Sequence, residues 1–176
     1  MMQEFPPIYG SRIVLRKRDP ELLEIYHAKR FTSDVLRWAD AWPRNPAIME
    51  LRKRFEIEEA SPREWKLWIH LWDGNLIGET SMYEIDQTKQ EAEFMIVVFE
   101  PRYWGQGYGT EAARLFLKDA CRRFGLERVY LSTEQDNKRA IRSFEKLGFR
   151  VMEKVSVGKD RSVRMELRTK ALIRNS

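Results

Sequence analysis

"YWGQGYGTEA", residues 103–112, sets glycines at positions 105, 107 and 109, between two aromatics and the start of an amphipathic helix. A strand that runs into glycines and then a helix builds an anion site. The first turn of a helix has four backbone N–H groups without intrahelical partners, and the helix dipole adds partial positive charge there. Glycine removes the side chains that would hold phosphate oxygens away. The donors expected here are the N–H groups from Gln106 through Thr110, with the Thr110 hydroxyl beside them. A tight turn with no ligand would use glycines too, so the flanking sequence has to decide.

Downstream, "TEAARLFLKDACRRFG" puts Ala112, Ala113, Phe116, Leu117, Ala120, Cys121 and Phe124 on one helical face and ends on Arg122, Arg123 and Gly125. "RVYLSTE" follows as a strand, and "DNKRAIRSFEKLGF" as a helix with Ala140, Ile141, Phe144 and Leu147 inward. "VMEKVSVGKDRSVRMELR" closes the chain as a hairpin turning at Gly158 to Asp160. Upstream, Gln90–Glu100 is an apolar strand buried on both faces, preceded by a hairpin of Trp65–Trp72 and Leu76–Ile85 about Asp73-Gly74. Arg12–Arg18 alternates at period two as a first strand. A helix then carries Leu22, Leu23, Ile25 and Tyr26 on a broad apolar face, and a second runs from after Pro46 to about Glu59. Antiparallel hairpins around one βαβ crossover predict an α/β fold: a mixed, mostly antiparallel sheet with helices on both faces.

At 176 residues, with no linker or internal repeat, the expectation is a single domain over 1–176. An apolar share of 43% and six tryptophans exclude a disordered chain, and the longest apolar run, Phe94–Phe99, is too short to cross a bilayer. "MMQEFPPIYGSR" lacks the basic start and apolar stretch of a secretory signal, so the expected compartment is the cytoplasm. Cys121, His27 and His70 offer too little for a metal site or a Cys/His catalytic pair, and all three read as structural residues. The net charge of +5 is uneven: residues 73–100 carry seven acids against Lys89 alone, while residues 101–150 carry eleven Lys/Arg against six acids. No recognition helix or aromatic-plus-basic platform for nucleic acid is recognisable in the basic half.

Two phosphate-binding readings compete. Gly107-x-Gly109-x-x-Ala112 fits the dinucleotide fingerprint, but that motif needs a tight turn straight after the first strand and an acid closing the next. Here the strand ends near Phe99, several residues too early, and Glu134 sits beyond the usual spacing. The other reading fits better. The stretch resembles the acyl-CoA loop of the GCN5-related N-acetyltransferases (GNAT), Gln/Arg-x-x-Gly-x-Gly/Ala, with Gly107 and Gly109 as its glycines and Trp104 where Gln/Arg usually stands. "YWGxGYxTEA" resembles the version in the ribosomal-protein N-terminal-alanine acetyltransferase branch. "NKRAIRSFEKLGF" resembles the family's second motif, and "AEFMIVVFEP" the strand before the loop.

The resemblance implies acetyl-CoA as co-substrate, no metal, and transfer of acetyl to an amine within one ternary complex. It implies pantetheine pairing with the backbone of Val97, Val98 and Phe99, pyrophosphate held by Trp104, Gly105, Gln106, Gly107, Tyr108, Gly109 and Thr110, and a contact from Asn137. Protonated amines need a base. Glu93, four residues before Val97 on the same strand face, is the candidate, with Glu79 in reserve. Many members use a tyrosine in the second-motif helix to protonate the leaving thiolate; here that position is Phe144. The proton donor is then open among the adjacent Ser143, Tyr103 and Tyr108, or the thiolate leaves unprotonated.

The acceptor is expected from the N-terminal half, past Trp38, Trp42 and Tyr83, with Asp34, Asp40, Glu79 and Glu84 favouring a cationic amine. It stays open between a peptide N-terminus and a small amine such as a polyamine or an aminoglycoside. The alternative function is a catalytically weak acyl-CoA-binding or regulatory module. The partners expected are acetyl-CoA and the amine, with no nucleic acid and no membrane, and the reading allows a homodimer.

Overall fold

The computed structural model describes residues 5–39, 44–157, 160–170 and 172. The strands are β1 Ile8–Tyr9, β2 Ile13–Lys17, β3 Trp65–Leu71, β4 Leu76–Asp86, β5 Glu91–Val98, β6 Arg128–Glu134, β7 Arg150–Val157 and β8 Asp160–Arg168. The helices are α1 Leu23–Arg30, α2 Ser33–Leu36, α3 Ile48–Ala60, α4 Tyr108–Phe124 and α5 Lys138–Lys146. All eight strands form one sheet in the order β1-β2-β3-β4-β5-β6-β8-β7. Every neighbouring pair is antiparallel except β5 and β6, joined in parallel through α4. This is the mixed sheet that the hairpins and the single βαβ unit predicted.

Helices cover both faces, but unequally. On one face α4 lays Ala112, Ala113, Phe116, Leu117, Ala120 and Cys121 across β2 to β6 and β8, with Phe144 and Leu147 of α5 beside them. On the other, Leu23 of α1, Val35 of α2, and Leu51 and Phe55 of α3 bury against Trp68, Leu76, Val97 and Phe99, so these helices cover β3 to β5. The expected inner face of α1 is narrower than its sequence suggested: Leu23 is buried, but Ile25 is 46% exposed, because α1 meets the sheet edge-on through Leu23 and Tyr26. The two-residue β1 is too short to leave a periodic pattern. Trp42, Asp40 and the Gly158 turn lie outside the described residues.

The ends of α4 are set by glycines in left-handed conformation. Gly107 at φ 87° opens the helix and Gly125 at φ 64° closes it, the latter donating to the Cys121 carbonyl. Asn137 starts α5 by accepting from the Ala140 N–H at 3.3 Å. Cys121 is fully buried in the core, and burial pushes its thiol up to about 12. His27 bonds the Pro46 carbonyl, and His70, whose pKa burial lowers, bonds that of Gly74. These are structural roles.

Candidate active site

β5 and β6 pair over only three rungs, Glu91–Arg128, Ala92–Val129 and Glu93–Tyr130. Beyond them the strands diverge, and the seam opens into a cavity of about 540 Å³. Its walls come from β5 (Phe94 to Val98), β6 (Leu131 to Thr133), the glycine loop, α5, and Val35, Trp38 and Ala39 at α2, so the slot passes from one face of the sheet to the other.

Which backbone groups line this slot follows from register. The Phe99 N–H donates to the Ile77 carbonyl, and Arg128 N–H donates to the Gln90 carbonyl. With Val98 opposite Gly78 and Val97 opposite Glu79, alternation turns the amides of Val97 and Phe99 toward β4, and those of Phe94, Ile96 and Val98 toward β6 and the open seam. Of the three expected residues, Val97 and Val98 line the cavity, and only Val98 also turns its backbone amide into it. Val97 and Phe99 turn their amides toward β4, whereas the Ile96 amide faces the slot beside that of Val98. The Val98 carbonyl already accepts from Trp104 Nε1 at 2.7 Å, which leaves the Val98 N–H and the Ile96 amide pair.

At the wide end of the slot, Gly105, Gly107, Gly109 and Thr110 line the cavity along with Tyr103 and Trp104. Gly107 is the helix N-cap and has no side chain to occupy the first-turn N–H groups of α4. A Cβ there would lie 3.1 Å from an Arg12 guanidinium nitrogen, on a backbone that L side chains rarely adopt. The side chains of Gln106 and Tyr108 do not line the cavity: Tyr108 packs half-buried under Arg12 and edge-on to Tyr103, and the Gln106 amide reaches back to the Arg102 carbonyl. Asn137 lines the cavity, its oxygen committed to capping α5. Ser143 and Phe144 line it too, and Phe144 is 8% exposed and packs edge-on to Phe94 and Phe149 in the core.

The two candidate acids differ sharply. Glu93 stands on the last paired rung, flanked by Tyr83 of β4 and Tyr130 of β6, on the face it shares with Met95 and Val97. Burial raises its pKa; the charge of Glu84 adds to the rise and Arg164 opposes it. Glu79 is 4% exposed and occupied, accepting from Arg30 Nε at 2.8 Å and from the Tyr26 hydroxyl at 3.1 Å. Arg30 also donates to the Ala39 carbonyl at 3.0 Å, so this pair ties β4 to the segment that walls the slot.

Residues 12–150 match the acetyltransferase (GNAT) domain family. The chain belongs to that family. The spermidine N(1)-acetyltransferase of Escherichia coli K12 is 30% identical to this acetyltransferase over 143 residues, 79% of this chain and 73% of that protein. The spermidine N-acetyltransferase of Vibrio cholerae, solved with CoA and spermine, superposes with a TM-score of 0.83 at 19% identity, over 93% of this chain and 99% of that one. A dodecameric structure of the Vibrio cholerae enzyme superposes at 0.77 with 21% identity, over 95% and 100% of the two chains. The protein is thus an acetyl-CoA-dependent N-acetyltransferase. Among the described residues no cluster of His, Cys, Asp or Glu could hold a metal, and no helix is long and apolar enough to cross a membrane.

Three cations of the acetyltransferase's slot were not singled out from sequence. Arg139, Arg142 and Lys146 recur at i, i+3 and i+7 along α5, all line the cavity, and none forms an ion pair among the described residues. Arg139 lies 4.1 Å over the Trp104 ring, and burial lowers its pKa. Their spacing beside the inward Ala140–Phe144–Leu147 face was a readable signal.

Proposed function

We propose that this acetyltransferase moves acetyl from acetyl-CoA to a primary amine of a polyamine, and that residues 1–176 act as one domain. The observation that carries the chemistry is the unzipped seam between β5 and β6, open to both faces, with the half-buried Glu93 carboxylate on the last paired rung, next to but not among the residues that line the cavity. The polyamine acceptor is supported by the spermidine acetyltransferase relatives. Glu93, with the charge of Glu84 near enough to raise its pKa, favours a cation at that end of the seam.

In this reading the pantetheine arm lies along β5 and pairs with the Ile96 amide and the Val98 N–H. The pyrophosphate rests on the first-turn N–H groups of α4 from Gly107 to Thr110, and Arg139, Arg142 and Lys146 balance the cofactor's remaining charge. A slot-facing β5 N–H polarises the thioester carbonyl. Glu93 takes the ammonium proton directly or through one water. A raised pKa suits this role, since it brings the base closer to the proton it must accept. The amine nitrogen then forms the C–N bond, the C–S bond breaks with its electron pair leaving on sulfur, and the nitrogen's second proton passes to that thiolate, directly or through water, giving the neutral amide and the CoA thiol. Ser143 is the α5 hydroxyl beside the position where Phe144 offers no proton. The cytoplasm is the proposed compartment, and a homo-oligomer the proposed assembly, the latter supported by the dodecameric structure of the Vibrio cholerae enzyme.

The test is release of free thiol from acetyl-CoA with spermidine, spermine, an aminoglycoside and an Ala-starting peptide. Turnover with the polyamines is the expected result. CoA binding without amine-dependent thiol release would favour a binding or regulatory module, the reading to which Phe144 lends weight.

A further inference from the structure

The glycine loop is held from outside by residues ninety-odd positions earlier. Glu111, in the first turns of α4, accepts from the Ser11 hydroxyl at 2.9 Å, the Arg12 backbone N–H at 3.0 Å and Arg12 Nε at 3.0 Å. The same guanidinium donates through a second nitrogen to the Gln106 carbonyl at 2.9 Å, and it stacks 4.6 Å from the Tyr108 ring centre. One side chain therefore holds a loop carbonyl, a loop aromatic and a helix carboxylate together. The approach is close: a Cβ on Gly10 would lie 2.5 Å from Glu111 Oε1. Arg12 is not among the residues lining the main cavity.

We propose that Arg12 is a positioning residue for acetyl-CoA, fixing the Gln106–Tyr108 turn so that the first-turn N–H groups of α4 face the pyrophosphate before the cofactor arrives. The inference rests on the reading that this loop is the phosphate site. The planar guanidinium is what allows it, because its nitrogens diverge toward the loop and the helix at once, and an ammonium on a flexible stem has no such geometry. The Arg12 side chain is 45% exposed, so the ion pair adds little to global stability and its effect should appear in binding. Glu111 also needs the arginine for a second reason. A bare carboxylate one turn from a bound pyrophosphate would repel it, and Arg12 neutralises that charge.

The experiment measures CoA affinity by calorimetry, and KM for acetyl-CoA against kcat, on the full chain and its variants. Arg12→Ala should raise the Kd for CoA about tenfold, with the loss in KM for acetyl-CoA rather than kcat, and shift the melting temperature little. Arg12→Lys should recover less than half of the loss. Glu111→Gln decides between positioning and simple charge attraction. Positioning predicts weaker CoA binding, because the arginine loses one of its anchors; simple attraction predicts tighter binding, because an acid near the phosphates is gone. Unchanged affinity in Arg12→Ala, full rescue by lysine, or tighter binding in Glu111→Gln overturns the proposal. Gly107→Glu, checked for folding by its thermal melt, separates the two levels. If it binds CoA normally, the loop is not the phosphate site; if it loses binding while Arg12→Ala does not, only the role of Arg12 falls.

Discussion

Replacing Glu79 by glutamine tests what the buried acid on β4 is for. Both members of its ion pair have side chains only 5% exposed, and the Arg30 guanidinium has no other carboxylate at hydrogen-bond distance among the described residues. An amide keeps the size of the side chain but removes the charge, which strands a buried guanidinium. Breaking such a pair from one side costs about 3–5 kcal/mol. For a domain of this length that corresponds to a fall in melting temperature of roughly 10 °C. The paired change Arg30→Met with Glu79→Leu should recover most of it, since it buries apolar groups where the charges stood. What remains is the Tyr26 hydroxyl, which loses its acceptor, and the Ala39 carbonyl, which loses its donor, about 1 kcal/mol each. Thermal and urea unfolding followed by circular dichroism read both variants. A Glu79→Gln protein within about 1 kcal/mol of the parent, or a paired variant less stable than the single one, would refute the reasoning. Turnover measured well below the melting range completes the test. It should fall far less than in the Glu93 variant below, and an equal loss would make Glu79 the base after all.

Glu93→Gln should lower kcat about 100-fold with melting little changed, and remove the acidic limb of kcat/KM, which the raised Glu93 pKa sets above the ordinary carboxylate range; steady-state kinetics from pH 5 to 9 read it. Burial pushes Glu58 upward, but Lys66 at 2.9 Å and Arg18 at 2.7 Å outweigh it and hold its pKa below the usual 4.5. A depressed pKa stabilises the fold above the unfolded value, and that contribution is lost as pH falls through the folded one. Melting temperature should therefore drop below pH 4.5, less steeply in Glu58→Gln. Cys121, with its thiol pushed up to about 12, should react with a thiol reagent at pH 8 only as the protein opens, at a rate that rises with denaturant.

The elements with strong periodicity were legible, for reasons visible in the packing. The α4 pattern worked because one helical face meets the whole sheet, and the β5 run worked because both of its faces are covered. The glycine turn into α4 was legible through local chemistry, since its glycines answer to backbone conformation. Register was not: whether Val97 or Val98 turns its amide into the seam depends on pairing with β4, which no single strand encodes. Neither Arg30–Glu79 nor Arg12–Glu111 could be read, because each joins residues far apart in the chain and a lone arginine carries no sign of its partner. The acceptor class was also out of reach. The "YW…TEA" flank resembles the ribosomal-protein branch, whereas the relatives reported over most of the chain are spermidine acetyltransferases.

The three-rung contact between β5 and β6 divides the sheet mechanically. β1 to β5 form one wing and β6 to β8 the other, bridged on one side by α4 and α5 and, among the described residues, with no helix packed on the other face of β6 to β8. A ligand that runs along the open part of the seam supplies the missing rungs and works as a splint. Empty, the protein is a leaf folded along its weakest line; loaded, it is a continuous plate. Amides of Ile96, Val98 and Ser132 should then slow more in solvent exchange on CoA binding than those of β3, which is already clamped on both sides. The site that handles the acyl group is also the joint that sets how stiff the molecule is.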